Sequence, residues 1–186
     1  MDVEEVLLET ETKMDDAVEA LIEALQSLRT GRANPMILDK IKVDSYGAMT
    51  PIKGVASISV PEPRCLAISP WDKSMIAPIE KAIMASDLGI TPANDGAVIR
   101  LTMPEMTEDR RKDLVKLARS RTEDCRVSIR NARRGANDSI KKLEKDKEIT
   151  EDESKRHQKT VQDTTDSYIG KVDGILSSKE KDIMEV

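Results

Sequence analysis

Phenylalanine is absent from this chain, tryptophan occurs once and tyrosine twice. An aromatic β core is therefore excluded, and the interior must come from Leu, Ile, Val, Met and Ala. Cysteine is scarce as well: Cys65 and Cys125 stand far apart with no neighbouring thiol, which argues against a disulfide framework or a cysteine metal cage and leaves two ordinary buried thiols. The single histidine, His157, lies on a polar stretch beside Glu153 and Lys155 and reads as a surface residue. No apolar run reaches the roughly 20 residues of a membrane helix. Residues 1–11 are acidic where a secretory or organellar signal would be basic, so the expected location is the cytoplasm. Phosphate-loop, G-x-G-x-x-G and nucleophile-elbow motifs are missing. Carboxylates such as Glu4, Glu5, Glu9, Asp15 and Asp16 show no pairing that marks acid-base work. No catalytic residue, metal site or cofactor is expected.

What the chain does have is charge on helical periods. At about 100° per residue, Val115, Ala118, Thr122, Cys125, Ile129, Ala132, Ala136, Ile140 and Leu143 fall on one side of a helix running from Thr107 to about Lys147. Turned by about a quarter of a circle lie Lys112, Arg119, Arg126, Arg130, Arg133, Asn137 and Lys141. One helix thus carries an apolar seam and a basic seam. Residues 110–147 hold fourteen Lys/Arg against six Asp/Glu, a local net of +8 in a chain of net charge −5. Such a strip on an acidic protein fits an anionic partner. It is equally the pattern of a solvated, salt-bridged helix surface.

Two more helices accompany it. Val3 to Leu28 repeats Leu7, Met14, Leu21 and Leu28 every seven residues, with Ala17, Ala24, Val18 and Leu25 completing the seam. Residues 2–29 carry nine acidic side chains against Lys13 and Arg29, complementing the basic helix. Burial of each seam leucine is worth about 1.5–3 kcal/mol against about 0–1 for an exposed ion pair, so packing holds the helices together. The last helix opens on a capping box, Thr150-Glu151-Asp152-Glu153, and carries Val161, Thr165, Tyr168, Ile169, Val172, Ile175, Leu176 and Ile183 on its seam.

Between the first two helices the pattern changes. The helical period stops at Arg29-Thr30-Gly31-Arg32-Ala33-Asn34-Pro35, where Gly31 permits positive φ and Pro35 disfavours helix at Asn34. Strands are expected around Ile41 and Val43, then over Gly54 to Val60, Arg64 to Ser69 and Ala97 to Leu101, with turns at Tyr46-Gly47 and Asn94-Asp95-Gly96. Asp72 or Ser74 caps a short helix bearing Met75, Ile76, Ile79, Ile83 and Met84, which Leu88-Gly89 ends. Met75 and Met84 read as core fillers, and Trp71 as a cover for the core's edge. The architecture expected is α+β: a long three-helix bundle from 1–30 and 104–186, with a small β/α/β domain, 31–103, inserted through hinges near 29–35 and 103–105.

The segments Arg29-Thr30-Gly31-Arg32-Ala33-Asn34-Pro35, Ser86-Asp87-Leu88-Gly89, Asn94-Asp95-Gly96, Thr107-Glu108-Asp109-Arg110-Arg111-Lys112, Arg130-Asn131-Ala132-Arg133-Arg134 and Lys179-Glu180-Lys181-Asp182-Ile183-Met184-Glu185-Val186 closely resemble those of the ribosome recycling factor family, in the same order along essentially the whole chain. Gly135 departs from the family, which more often has a helix-compatible polar residue there. The resemblance implies an L-shaped, two-domain protein of roughly transfer-RNA outline that acts as a monomer. It implies that with elongation factor G, which hydrolyses the GTP, the protein splits post-termination ribosomes and frees the messenger.

In that setting the large ribosomal subunit and its RNA are the anionic partner. Arg110, Arg130, Arg133 and Arg134 match the family's basic signature, and Lys112, Arg119, Arg126 and Asn137 extend the face. Arg29, Thr30, Gly31, Arg32, Asn34, Pro35 and Pro104 form the hinge. Guanidinium forks suit phosphates bidentately. Without the resemblance two other classes stand: a helical adaptor binding an acidic protein through the same arginines, and, more weakly, an enzyme using the cleft between domains.

Overall fold

The computed structural model describes residues 2–185. Met1 and Val186, the outermost members of the N-terminal stretch and the C-terminal motif, lie outside the described residues. Four α-helices and six strands follow one another as α1 (Val3–Gln26), β1 (Lys42–Ser45), β2 (Ala48–Pro51), β3 (Ala56–Glu62), β4 (Cys65–Pro70), α2 (Ile76–Ala85), β5 (Ala93–Asn94), β6 (Ile99–Thr102), α3 (Glu108–Lys145) and α4 (Glu151–Met184). The expected α+β class is met. The chain divides into two compact units, Met1–Leu28 with Lys112–Lys181 and Arg29–Arg111 with Asp182–Val186.

The first unit is a three-helix bundle. α1 starts on a capping box in which Asp2 Oδ1 accepts from Glu5 N–H at 2.9 Å and Glu5 Oε2 accepts from Asp2 N–H at 2.9 Å. The α4 box expected at Thr150 is present: Glu153 N–H donates to Thr150 Oγ1 at 3.2 Å, and Thr150 N–H to Glu153 Oε2 at 2.8 Å. Val6, Met14, Leu21 and Leu25 of α1 are buried, whereas Leu7 and Leu28 are half-buried. On α3 the buried stripe is the expected one except at its start, where Leu114 replaces Val115. Both positions satisfy the 3/4 spacing to Ala118, and the longer side chain takes the interior. Gly135 leaves α3 continuous, because tertiary burial of the seam outweighs the roughly 1 kcal/mol of a mid-helix glycine.

In the second unit a four-stranded antiparallel sheet, ordered β3-β4-β6-β5, stands beside the β1-β2 hairpin. Tyr46 and Gly47 turn that hairpin with φ of 52° and 86°, the double positive φ of a two-residue turn. β2 and β5 were not expected as strands. β2 lacks β-branched alternation, and β5 has only two residues. β3 runs on through Pro61, where the sequence suggests a stop; the register to β4 shifts between Ser59 and Glu62, and β3 is an edge strand, where proline is tolerated. Leu38, Ile52, Leu66, Ile68, Ile79, Ile99 and Leu101 are core residues of this unit.

Four local expectations are corrected. Trp71 is 71% exposed and Met84 64% exposed, so neither covers nor fills the core, while Met75 does at 5%. α2 ends at Ser86, whose N–H and Oγ both donate to the Ile83 carbonyl, ahead of Leu88-Gly89. Among the described residues the glycines with positive φ are Gly47, Gly89 and Gly96; Gly31, a bend residue, is not one of them. A short 3-10 helix, Pro35–Leu38, follows at once, capped by Asn34 Oδ1 accepting from Met36 N–H at 3.0 Å.

Candidate nucleic-acid interface

The basic seam of α3 repeats Lys112, Arg119, Arg126 and Arg133 every seven residues, so these side chains return to one flank of the helix with a drift of only about 20° per repeat. α4 answers with Asp166, Asp173 and Glu180, also every seven and in the opposite direction. The result is a ladder across the bundle surface. Arg119 Nε donates to Glu180 Oε1 at 2.7 Å, and Arg126 Nη2 to Asp173 Oδ1 at 2.6 Å. Arg133 Nη1 donates to Gln162 Oε1 at 2.9 Å, and Gln162 Nε2 in turn donates to Asp166 Oδ1 at 2.8 Å.

A second acid works within α3 itself. Glu123 Oε1 accepts from Arg130 Nη2 at 2.6 Å, and its Oε2 from Arg126 Nη1 at 3.3 Å. These two hydrogen bonds, Arg130's first, hold the Glu123 carboxyl below the usual range. The Arg126 guanidinium is raised, chiefly by Asp173, and that of Arg119 by Glu180. Arg119 remains 64% exposed and Arg130 39%, against 26% for Arg126. Pairs this wet exchange with solvent and cost little to break.

The remaining expected residues divide into two groups. Arg133 and Asn137 are half-buried one turn apart, with Arg133 Nε and Asn137 Oδ1 buried and lacking a protein partner. Arg134 is exposed on a neighbouring column of the helix. Arg110, in the second unit, is exposed on the first turn of α3, where its N–H donates to the capping Thr107 Oγ1 at 3.2 Å. Lys112 is exposed. Thus the bundle gathers Arg119, Arg126, Arg130, Arg133 and Asn137 along one flank and sets Arg134 beside it.

Sequence reasoning missed the counter-charges Glu123, Asp173 and Glu180 and the acceptor Gln162. The signal for them existed in the matching seven-residue spacing of 166, 173 and 180 and in the i+3 and i+7 relation of Glu123 to Arg126 and Arg130.

Among the expected hinge residues, Arg29, Arg32, Asn34 and Pro104 are exposed or nearly so, and Gly31 is buried. Arg32 Nη1 donates to Asp182 Oδ1 at 2.7 Å, and Ala33 N–H to the Pro63 carbonyl at 2.8 Å. Near Pro104, Arg64 Nη1 donates to Glu105 Oε1 at 2.8 Å and its Nη2 to the Met103 carbonyl at 2.9 Å. All of these contacts lie within the second unit.

Among the described residues no group of three or more His, Cys, Asp or Glu is placed to hold a metal ion. No helix among them is long and apolar enough to cross a membrane.

Residues 21–184 match the model of the family described as ribosome recycling factor. The chain is 57% identical over 181 residues to the ribosome-recycling factor of Brevibacillus brevis, covering 97% of this chain and 98% of that one. It is 55% identical over 182 residues to that of Symbiobacterium thermophilum, covering 98% of each. A solution structure of the ribosome recycling factor, 41% identical, superimposes with a TM-score of 0.76 over 100% of this chain and 99% of that one. Models of the T. thermophilus ribosome recycling factor and the E. coli elongation factor G bound to the E. coli post-termination complex include a chain 43% identical, with a TM-score of 0.66 over 99% of this chain and 100% of that one.

Proposed function

The chain belongs to the ribosome recycling factor family, and from that membership we propose that it binds the large ribosomal subunit after termination and, with elongation factor G, splits the ribosome so that subunits and messenger are reused. The observation that supports this is agreement over nearly the full length with a ribosome recycling factor chain from models in which that factor and elongation factor G are bound to a post-termination complex. GTP belongs to the partner factor, and the chain itself works in the cytoplasm without a cofactor.

The bundle's arginine flank is the anchor in this reading. Arg130, Arg133 and Arg134 supply the central contacts, and Arg119, Arg126 and Asn137 extend them along α3. Arg110 and Lys112 act at the first turn. Folded ribosomal RNA offers phosphates and 2′-hydroxyls in fixed arrays, and guanidinium forks meet these two at a time. The bundle's packed seam supplies the stiffness an anchor needs, and the domain of residues 31–103 receives the push of elongation factor G. Arg29, Thr30, Gly31, Arg32, Asn34 and Pro35, with Pro104 on the return crossing, form the hinge.

Post-termination ribosomes incubated with the chain, elongation factor G and GTP should separate into subunits on a sucrose gradient. Separation that proceeds equally without the chain would refute the proposal.

A further inference from the structure

Glu123 stands out on the arginine flank because one exposed carboxylate serves two guanidinium groups of its own helix, Arg130 at 2.6 Å and Arg126 at 3.3 Å. On the reading that this flank binds folded RNA, we propose that Glu123 is a specificity-determining residue: it bridges Arg130 Nη2 and Arg126 Nη1 as a phosphate would, and an anion bridges the same two groups only by displacing it.

The reasoning rests on exchange. A single phosphate that takes the place of Glu123 forms bonds of the kind it breaks, and it leaves a carboxylate one or two helical turns away that repels it. Isolated or flexible phosphates therefore gain little at this pair. A rigid array of phosphates that meets Arg126 and Arg130 and also reaches Arg133 and Arg134 adds contacts that Glu123 does not contest. The carboxylate is 52% exposed, so it can swing into water once displaced. Asp173, which holds Arg126 from α4 at 2.6 Å, keeps that guanidinium aligned along the flank while Glu123 is exchanged. The arrangement penalises loose polyanions more than a shaped RNA surface.

The test compares binding of the full chain to poly(U) and to purified large subunits by fluorescence anisotropy, for wild type, Glu123→Gln, Glu123→Ala and the double variant Arg130→Ala with Arg133→Ala. Each Glu123 variant is expected to bind poly(U) about threefold to tenfold tighter and to gain less on large subunits, so that the preference for the ribosome falls. Thermal melting reports that the variants fold. Unchanged or weaker poly(U) binding, or an equal gain on both ligands, overturns the role of Glu123 while the arginine double variant still loses subunit binding. If the double variant binds subunits as wild type does, the RNA-anchoring reading itself fails.

Discussion

The phenol of Tyr168 on α4 donates a 2.6 Å hydrogen bond to Asp15 Oδ1 on α1, joining residues 153 positions apart within the bundle. Tyr168 is 8% exposed, and the Lys171 ammonium lies 4.6 Å from its ring centroid. The bond to Asp15, then burial, pushes the Tyr168 pKa from 10.0 up to about 12. The folded state thus favours the neutral phenol. Its contribution is complete below about pH 10 and is lost as pH rises through about 12. Tyr168→Phe should cost about 1 kcal/mol at neutral pH, a fall in Tm of about 2–4 °C for a chain of this size. The same change should reduce the alkaline loss of stability expected of the wild type. An unaltered slope of stability against pH over that window would contradict the assignment.

Three glycines inside the long helices should be replaceable at a profit in stability. A Cβ built at Gly135, Gly170 or Gly174 meets nothing within 4 Å. Alanine there should add about 0.5–1 kcal/mol each by restricting the unfolded chain and favouring helix. Gly96 makes the control, since its φ of +90° strains any L side chain, and Gly96→Ala should cost about 1 kcal/mol or more. Urea midpoints read both signs. Destabilisation by all four substitutions would show that the helical glycines are held for another reason.

Leu114 and Val115 separate two registers of the same periodic pattern. Leu114 is 2% exposed and Val115 half-buried. Truncating Leu114 to alanine should cost about 2–5 kcal/mol through lost transfer energy and a cavity, and truncating Val115 about 1 kcal/mol or less. Equal costs in a denaturant titration would place the α3 seam differently.

Salt reports on the arginine flank. With two phosphate contacts removed by Arg130→Ala and Arg133→Ala, the slope of log affinity for large subunits against log salt should fall by about 1.5. Melting temperature should change little for Arg130, which pairs with the exposed Glu123. A lost slope together with collapse of the fold would mean the arginines serve the bundle and not the ribosome.

Helix extents were readable because their signals are local. Thr107 and Thr150 carry side chains that satisfy orphan N–H groups, and the 3/4 spacing of Ala118 through Leu143 needs no partner to be recognised. The small unit was less legible. Strands as short as β5 draw their existence from a neighbour's hydrogen bonds, and Trp71 and Met84 are apolar residues whose exposure no local rule foretells.

Order and type of the long elements, the two seams of α3, and membership of a family were determined by the chain's own succession of residues, because caps, turns and periodicity act between near neighbours. That Arg119, Arg126 and Arg133 are tied to Glu180, Asp173 and Gln162 was decided only when α4 packed alongside α3. Arg119 and Glu180, like Arg126 and Asp173, are far apart along the chain, and charge becomes a pair only where packing of the apolar seams brings it within reach.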